Sequence, residues 1–297
     1  MHIYKSKAVK SLNLLTEIYE NGILILRIKS AVPYNFTKPE DDMTCFDGII
    51  SRFISESLRI FGTHLTGIYL HGSAAMNCFN PLKSDIDLLF VIDGEISEEQ
   101  KLDFLGIVLE LNKLAPPKGL ELSIVKEQYC KPFMYPTPYE FHYSNAFAEE
   151  ANNAPLDMVR RLHGTDRDLA AHFTITYHRG ITVYGKEIRE VFELPPKEHY
   201  TDSIIFDIEN ARDDIVNCPV YIILNLCRVL AYVREELVLS KKEGGEWGVV
   251  SLPQKYGETV KKALSEYTDN SVTAYNEEEL INYADYMLEE IYKSAEK

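Results

Sequence analysis

The chain has 297 residues, of which 45% are hydrophobic, and it carries a formal net charge of −15. This length fits two domains better than one, and no apolar run approaches the roughly 18 residues of a membrane-spanning helix. The first residues lack the pattern of a signal peptide, so we expect a cytoplasmic protein without membrane contact. The excess of acid disfavours DNA or RNA as a partner and favours a cationic small molecule.

The cysteines are odd in number, and no two of them form a Cys-x-x-Cys pair. A disulfide framework or a structural zinc site is therefore not expected. We expect reduced thiols, most of them buried. The five are Cys45, Cys78, Cys130, Cys218 and Cys227.

The chain begins its regular pattern with a helix, because apolar residues recur at helical spacing over residues 45–62. Gly62 is expected to end it. A short strand over residues 65–70 leads into a tight turn of small residues. Residues 84–92 then form a strand that begins with acids and ends as an apolar run, which is typical of a strand buried on both faces.

The next elements continue this alternation of helix and strand. Ser97 caps a predicted helix that reaches to about Lys113. Residues 120–125 read as a third strand with one acid among apolar neighbours. An aromatic stretch over residues 129–143 has three open interpretations: a surface that stacks on a substrate, a lid, or an edge of the core. The first half is thus predicted to be an α/β sandwich over a small mixed sheet.

From about Asp166 the pattern becomes helical, and Pro195-Pro196 marks a linker. We predict an α+β fold, with an α/β domain over residues 1–195, including an N-terminal extension over 1–40, and an all-helical bundle over 196–297. Helical periodicity beyond Tyr200 covers four segments: 203–217, 219–238, 253–267 and 276–295.

Three acids carry the predicted chemistry. Asp85 and Asp87 stand two apart on a strand, so their side chains point to one face and can share a Mg²⁺ ion. Glu121 lies near the start of a strand that could run beside the first and bring a third carboxylate to that face. A carboxylate that the metal does not use can accept the proton of an attacking hydroxyl.

The turn before these acids predicts a phosphate contact. Gly72 lets the backbone approach a phosphate closely. The Ser73 hydroxyl and nearby backbone N–H groups are neutral donors for phosphate oxygens. Ser84, directly before Asp85, is a further candidate for contact with the nucleotide.

Residues 71–92, which read HGSAAMNCFNPLKSDIDLLFVI, resemble the signature of the polymerase-β-like nucleotidyltransferase superfamily. The resemblance is closest to the streptomycin and spectinomycin adenylyltransferases and runs from about residue 45 to 270. Residues 168–174 and 183–192 resemble the segment that closes the first domain of that family. The resemblance implies transfer of a nucleotidyl group, with ATP as the usual donor.

The same resemblance implies roles for single residues. Glu121 falls on the glutamate taken to be the base for the acceptor hydroxyl, and Asp85 and Asp87 fall on the metal-binding catalytic aspartates. Arg228 corresponds to an arginine that touches the triphosphate, and Lys241 to a phosphate-binding lysine. Tyr267 falls on a tyrosine at the nucleotide site. Cations from the helical domain would place the site in the cleft between the two domains.

The sequence departs from this family on the acceptor side. A tryptophan and an aspartate that help hold the antibiotic there are replaced by Ala146 and Cys218. Nearby acids could substitute for the missing aspartate, so the acceptor pocket is expected to differ from the standard one. These acids are Glu209, Asp213 and Asp214.

The sequence therefore predicts a Mg²⁺-dependent nucleotidyltransferase that moves AMP from ATP to a hydroxyl of an aminoglycoside-like or spectinomycin-like molecule and releases pyrophosphate. Two alternatives stay open at this point. One is an adenylyltransferase that modifies a protein, although such enzymes usually lack a helical domain. The other is a nucleotide-binding module without activity, although the retention of all three acids argues against it.

Overall fold

The structure, a computed structural model, describes residues 15–20, 23–28 and 40–296, with side chains from residue 47 onward. The chain divides into two compact units, Met1–Thr44 and Cys45–Lys297. The thiol of Cys45 and most of the predicted N-terminal extension lie outside the described residues.

The described residues of the first unit are a pair of antiparallel strands and the first residues of the helix that begins at Glu40. Strand β1 (Leu15–Glu20) pairs with β2 (Ile23–Ile28), and Leu15 lies opposite Ile28. Both strands contain β-branched or aromatic residues, such as Thr16, Ile18 and Tyr19 in β1 and Ile23 and Ile25 in β2, which favour an extended backbone.

The second unit is built around a mixed sheet of five strands, as the sequence predicts. The strand order is β7-β5-β4-β3-β9; β4 and β5 run parallel and the other pairs are antiparallel. Strands β6 and β8 form a separate short pair. The strands of this unit are β3 (Leu65–Leu70), β4 (Ile86–Ile92), β5 (Leu120–Lys126), β6 (Thr137–Tyr139), β7 (Phe141–Tyr143), β8 (Gly164–Asp166) and β9 (Ile181–Gly185).

Helices cover the sheet and form the whole C-terminal part of the chain. They are α1 (Glu40–Phe61), α2 (Gly72–Ala75), α3 (Glu98–Asn112), α4 (Glu127–Cys130), α5 (Ala148–Asn153), α6 (Pro155–Arg161), α7 (Leu169–Arg179), α8 (Ile188–Val191), α9 (Lys197–Phe206), α10 (Ala211–Asp214), α11 (Pro219–Glu235), α12 (Lys241–Ser251), α13 (Gln254–Asp269) and α14 (Glu277–Ala295). Ser97 caps α3 in a capping box, as predicted.

The strand β4 is buried on both faces because helices pack on each side of the sheet. On one face Phe90 contacts Phe53 of α1 and Phe104 of α3, with ring centroids 5.5 and 5.1 Å away. On the other face Leu89 shares a buried cluster with Phe173 of α7. Asp87 is the one residue of β4 that is only partly buried, and Asp85 lies directly before the strand.

The C-terminal helices surround α11, whose apolar face is fully buried against α12, α13 and α14. This arrangement confirms the predicted α+β fold with a helical C-terminal part. Both parts belong to the second compact unit, so a domain boundary at residues 195 and 196 stays a prediction. In the described part of the chain, no helix has the length and apolar character needed to cross a membrane.

Two sequence predictions are wrong in detail. The helical pattern expected from Asp166 is interrupted by β9, which pairs with the edge of β3. The segment 203–217 is two helices, because Asp207 and Asn210 lie in a break between α9 and α10. Short polar side chains of this kind compete with the helical backbone for hydrogen bonds.

The aromatic stretch forms an edge of the core where it enters the sheet. Phe141 and Tyr143 are fully buried on β7, which confirms that interpretation for these two residues. The described thiols also follow expectation, since Cys78, Cys130 and Cys227 are free and buried, and Cys218 is free and exposed.

Candidate active site

Three carboxylates meet where β4 and β5 begin. The parallel register places Asp87 directly opposite Glu121, so both side chains stand on the same face of the sheet. Asp85 precedes β4 by one residue. Oxygen atoms of all three lie within 4.8 Å of one another. The structure thus brings together the three acids that the sequence singles out.

This cluster has an electrostatic cost. Burial raises the pKa of Asp87 well above its usual range, and the charges of Asp85 and Glu121 raise it further. Burial also raises the pKa of Glu121, although the charge of His172 opposes the rise. A bound cation would relieve this repulsion, because it stabilises the ionised carboxylates.

The turn after β3 lies against this cluster. Gly72 has φ +60°, and a Cβ atom there would stand 1.8 Å from Oδ2 of Asp87, so a larger residue does not fit. The backbone N–H of His71 donates to the carbonyl of Asp87 over 3.1 Å, which fixes the turn beside the acids. The buried Ser73 hydroxyl has no hydrogen-bond partner among the described residues.

A lysine from the helical part lies within electrostatic range of the acids. Lys241 is the first residue of α12, which Ser240 caps in a capping box with Glu243. The charges of Asp85 and Asp87 both act on Lys241, although burial and the neighbouring Arg228 lower its pKa overall. Its Nζ atom also lies 4.2 Å from the centre of the Tyr221 ring.

Arg228 of α11 is held by a small network of polar side chains. Its Nε donates to Oδ1 of Asn225 over 2.5 Å, and a terminal nitrogen lies 3.7 Å from Oδ2 of Asp207. Asn225 in turn donates to that same Asp207 oxygen over 2.6 Å. Burial alone would lower the pKa of Arg228, but Asp207 and other neighbours raise it. The guanidinium therefore has a defined position, and its charge acts on Lys241.

Ser84 and Tyr267 belong to a contact between the loop before β4 and helix α13. The Ser84 hydroxyl accepts a hydrogen bond of 3.0 Å from the backbone N–H of Asn80. The Tyr267 hydroxyl donates to the carbonyl of Cys78 over 3.4 Å, and the Asn80 side chain donates to the carbonyl of Tyr267 over 2.7 Å. These bonds satisfy the buried polar groups of both residues. Contact of Ser84 and Tyr267 with the nucleotide stays a prediction.

The sequence did not single out two residues beside Glu121, namely Asp168, the N-cap of α7, and His172 in the first turns of that helix. His172 Nε2 lies 3.2 Å from Oδ2 of Asp168 and 3.9 Å from Oε1 of Glu121. Their spacing of four residues on one helix puts them on one side of it, and this spacing was the available signal. Asp207 and Asn225 carried no comparable signal, because they meet only in the folded chain.

The residues predicted to line the acceptor pocket are all exposed. Ala146 lies in a short turn after β7, and Cys218 directly precedes α11. The three acids proposed as substitutes, Glu209, Asp213 and Asp214, are exposed before the same helix. Their role in holding an acceptor stays a prediction.

Two family models match this chain. Residues 50–132 match a nucleotidyltransferase domain, and residues 190–290 match the C-terminal domain of aminoglycoside adenylyltransferases. The first match contains the Gly72–Ser73 turn and the three acids. The second contains Arg228, Lys241 and Tyr267.

The similar proteins are distant in sequence, but their alignments cover most of the chain. A spectinomycin 9-adenylyltransferase from Campylobacter jejuni is 22% identical over 82% of this chain and 94% of its own length. A spectinomycin 9-adenylyltransferase from Enterococcus faecalis is 24% identical over 77% of this chain and 90% of its own length.

A solved structure shares the fold of the chain. It is a spectinomycin adenyltransferase from Enterococcus faecalis, crystallised with ATP and spectinomycin, with a TM-score of 0.72 and 20% identity. The match covers 82% of this chain and 98% of the other. This likeness shows the fold of the chain. The two domain matches, in their order along the chain, and the relatives named above support a nucleotidyltransferase of the aminoglycoside adenylyltransferase type.

Proposed function

We propose that the chain transfers AMP from Mg-ATP to a hydroxyl of an aminoglycoside-like or spectinomycin-like antibiotic and releases pyrophosphate. The observation that carries this proposal is the pairing of Asp87 with Glu121 across β4 and β5, with Asp85 beside them. ATP is abundant in the cytoplasm, where we propose that the enzyme works.

The acidic cluster fits a magnesium ion. All donors in it are carboxylate oxygens, which Mg²⁺ prefers, and burial together with the charge of Asp85 raises the pKa of both Asp87 and Glu121. We assign Asp85 and Asp87 to the ion. A bound Mg²⁺ would neutralise charge on the phosphates and orient the pyrophosphate as a leaving group.

The other residues of the site have complementary tasks. Lys241 and Arg228 supply positive charge for a triphosphate that the acids would otherwise repel. The unpartnered Ser73 hydroxyl is a neutral donor beside them. The acceptor oxygen attacks the α-phosphorus in line, the bond between that phosphorus and the bridging oxygen breaks, and pyrophosphate leaves. Glu121 accepts the proton of the acceptor hydroxyl.

The acceptor is proposed to be cationic. The net charge of −15 attracts a cation over a distance, and exposed acids stand before α11. The names of the similar proteins point to spectinomycin, and the family models point to aminoglycosides. Modification of a protein is less favoured, because the helical part matches a domain of antibiotic-modifying enzymes. A module without activity is also less favoured, because the three acids are assembled.

The experiment is a pyrophosphate-release assay with Mg-ATP over spectinomycin, streptomycin, other aminoglycosides and a lincosamide, with mass analysis of the product. We expect release that depends on an aminoglycoside or on spectinomycin, and a product that carries one AMP. The Asp87→Asn variant should lose this turnover. Asp157→Asn, the same change on the exposed face of α6, should keep it.

Two results would count against the proposal in different ways. If ATP binds with Mg²⁺ but none of these acceptors promotes release, the acceptor class is wrong. If an Asp87→Asn variant that melts like the wild type keeps more than about a tenth of the activity, the two-aspartate site is wrong.

A further inference from the structure

The side chain of His172 lies between two carboxylates that come from different elements. It contacts Asp168 on its own helix at 3.2 Å and Glu121 on β5 at 3.9 Å. Only 15% of the His172 side chain is exposed, against 44% for Asp168 and 29% for Glu121. On its third side the ring packs against His71, with centroids 4.8 Å apart. His172 therefore links the turn before Gly72 to the proposed base.

Two carboxylates within 4.0 Å of Nε2, those of Asp168 and Glu121, favour the positively charged form of His172. Burial alone would lower its pKa, but Asp168, Glu121 and Asp87 raise it to about 10. Its neighbour behaves in the opposite way: burial alone would raise the pKa of Asp168, but His172 lowers it to about 2. His71 stays neutral, because burial and the charge of His172 lower its pKa well below the usual range.

Glu121 thus belongs to two groups of possible ligands at once. Its carboxylate is within 4.8 Å of donor atoms of Asp85 and Asp87 on one side, and of Asp168 and His172 on the other. A metal ion held by the two aspartates would attract Glu121 as a third ligand. The charged side chain of His172 attracts the Glu121 carboxylate away from that ion.

We propose that His172, held in place by Asp168, is a positioning residue that keeps Glu121 turned away from the metal ion and free to accept the proton of the acceptor. The proposal rests on the proposed function, because it gives Glu121 the role of base. In this proposal His172 contacts Glu121 and does not contact the acceptor or the phosphates. Its effect on the reaction is therefore exerted through Glu121.

The proposal predicts a specific pattern in two substitutions. His172→Gln keeps a hydrogen-bonding group but removes the charge, and we expect kcat to fall about tenfold, a part of what a general base contributes. The dissociation constant of ATP should stay within about twofold of the wild type. His172→Lys restores a cation and should recover part of kcat. His178→Gln, the same change on the exposed side of α7, is the matched control.

A second measurement needs neither acceptor nor turnover. Mn²⁺ binding to the protein, followed by electron paramagnetic resonance, should become several-fold tighter in His172→Gln, because one positive charge leaves the cluster and Glu121 can join the ion. Glu121→Gln combined with His172→Gln should remove most of this gain. His178→Gln should bind Mn²⁺ like the wild type.

These measurements separate the inference from the proposed function. If the wild type modifies no acceptor, the proposed function fails, and the Mn²⁺ comparison still decides the role of His172. Unchanged kcat and unchanged Mn²⁺ affinity in a folded His172→Gln variant would overturn the inference. An equal loss of kcat and ATP affinity would overturn it too, since that is the effect of general damage. Should His172→Gln fail to fold, Asp168→Asn tests the same pair. This variant should have a lower kcat, because His172 is no longer held in place. It should not bind Mn²⁺ more tightly, because His172 is still present.

Discussion

Asp87 and Glu121 occupy paired positions on neighbouring strands, yet their proposed tasks differ. Asp87 is fixed by the turn that contains Gly72, whereas Glu121 lies between the aspartates and His172. A ligand and a base respond differently to removal of charge, since the first sets metal affinity and the second sets the rate of proton transfer. Substitution at the residue scale can therefore separate the two roles.

The variant Glu121→Gln should keep ATP and Mg²⁺ binding and lose about 10²–10⁴-fold in turnover, the usual contribution of a general base. Burial raises the pKa of Glu121, so wild-type activity should fall as the pH drops through that value and the carboxylate gains a proton. The variant should lack the part of this fall that belongs to Glu121, because its amide does not titrate; a fall from protonation of Asp87 would remain. Measurements of kcat against pH and of ATP binding check both points. Rescue of the rate by excess Mg²⁺ would instead make Glu121 a metal ligand.

The variant Gly72→Ala should lose turnover, because its Cβ atom would collide with Oδ2 of Asp87 at 1.8 Å. Gly62→Ala is a matched control: Gly62 has φ +58°, close to the +60° of Gly72, but nothing lies within 4 Å of its Cβ position. Both variants should lose about 1–2 kcal/mol of stability from the left-handed backbone. Thermal melting and turnover should show that only Gly72→Ala is inactive. Activity near the wild type in both would remove the turn from the site.

Helix α12 begins with Lys241, and it packs very closely on α11. Cβ atoms added at Gly244 or Gly248 would stand 2.9 Å from Arg228 Cβ or 2.6 Å from Cys227 Sγ. Interior glycines lower helix propensity, so a sequence reading easily passes over a helix of this kind. Because these glycines have no side chains, α12 can pack close to α11, and the two helices bring Lys241 and Arg228 toward each other.

The variant Gly248→Ala should push α12 away from α11, with a loss of about 1–3 kcal/mol typical of overpacking. ATP affinity should fall with it, because Lys241 and Arg228 would separate. Gly106→Ala, in the middle of α3 with nothing within 4 Å of the added atom, should stabilise the protein by about 0.5–1 kcal/mol and leave ATP binding unchanged. Denaturant unfolding and ATP titration check the pair. Equal behaviour of the two variants would mean that close packing of α12 is not required.

Other elements show which features a sequence can reveal. The strand β4 and the capped helix α3 were predictable, because an apolar run and a capping box are local signals. The edge strand β9 was not, because half-exposed residues after a helix show no clear period until they pair with β3. The same holds in the site. Asp85 and Asp87 show themselves by spacing, whereas the contact of Asp207 with Arg228 depends on how α9 and α11 pack.

At the scale of the whole molecule, the sheet and the helical part are tied by polar contacts around the site. Asn80 donates to the carbonyl of Tyr267 over 2.7 Å and to Oδ1 of Asn270 over 3.1 Å. Arg179 of α7 pairs with Glu243 of α12 at 2.9 Å. ATP bound by Asp85, Asp87 and Lys241 would add to these ties, because it contacts both parts.

We therefore expect a single cooperative melting transition, and we expect Mg-ATP to raise its midpoint temperature. A ligand at about 100 times its dissociation constant stabilises the folded state by about 2.7 kcal/mol, which corresponds to a shift of roughly 5 °C for a chain of this size. Lys241→Ala should lose most of this shift. Lys242→Ala should keep it, because the side chain of Lys242 is 44% exposed and its carboxylate neighbour is Glu246, at 4.0 Å.

Calorimetry with and without Mg-ATP checks this prediction, and removal of Mg²⁺ by a chelator is a second control. A chelator should abolish most of the shift, because uncompensated acids repel the triphosphate. Two separate transitions, of which ATP raises only one, would contradict the prediction. They would mean that the nucleotide is held by one part of the chain alone, and that Lys241 and Arg228 do not act on it together with the three acids.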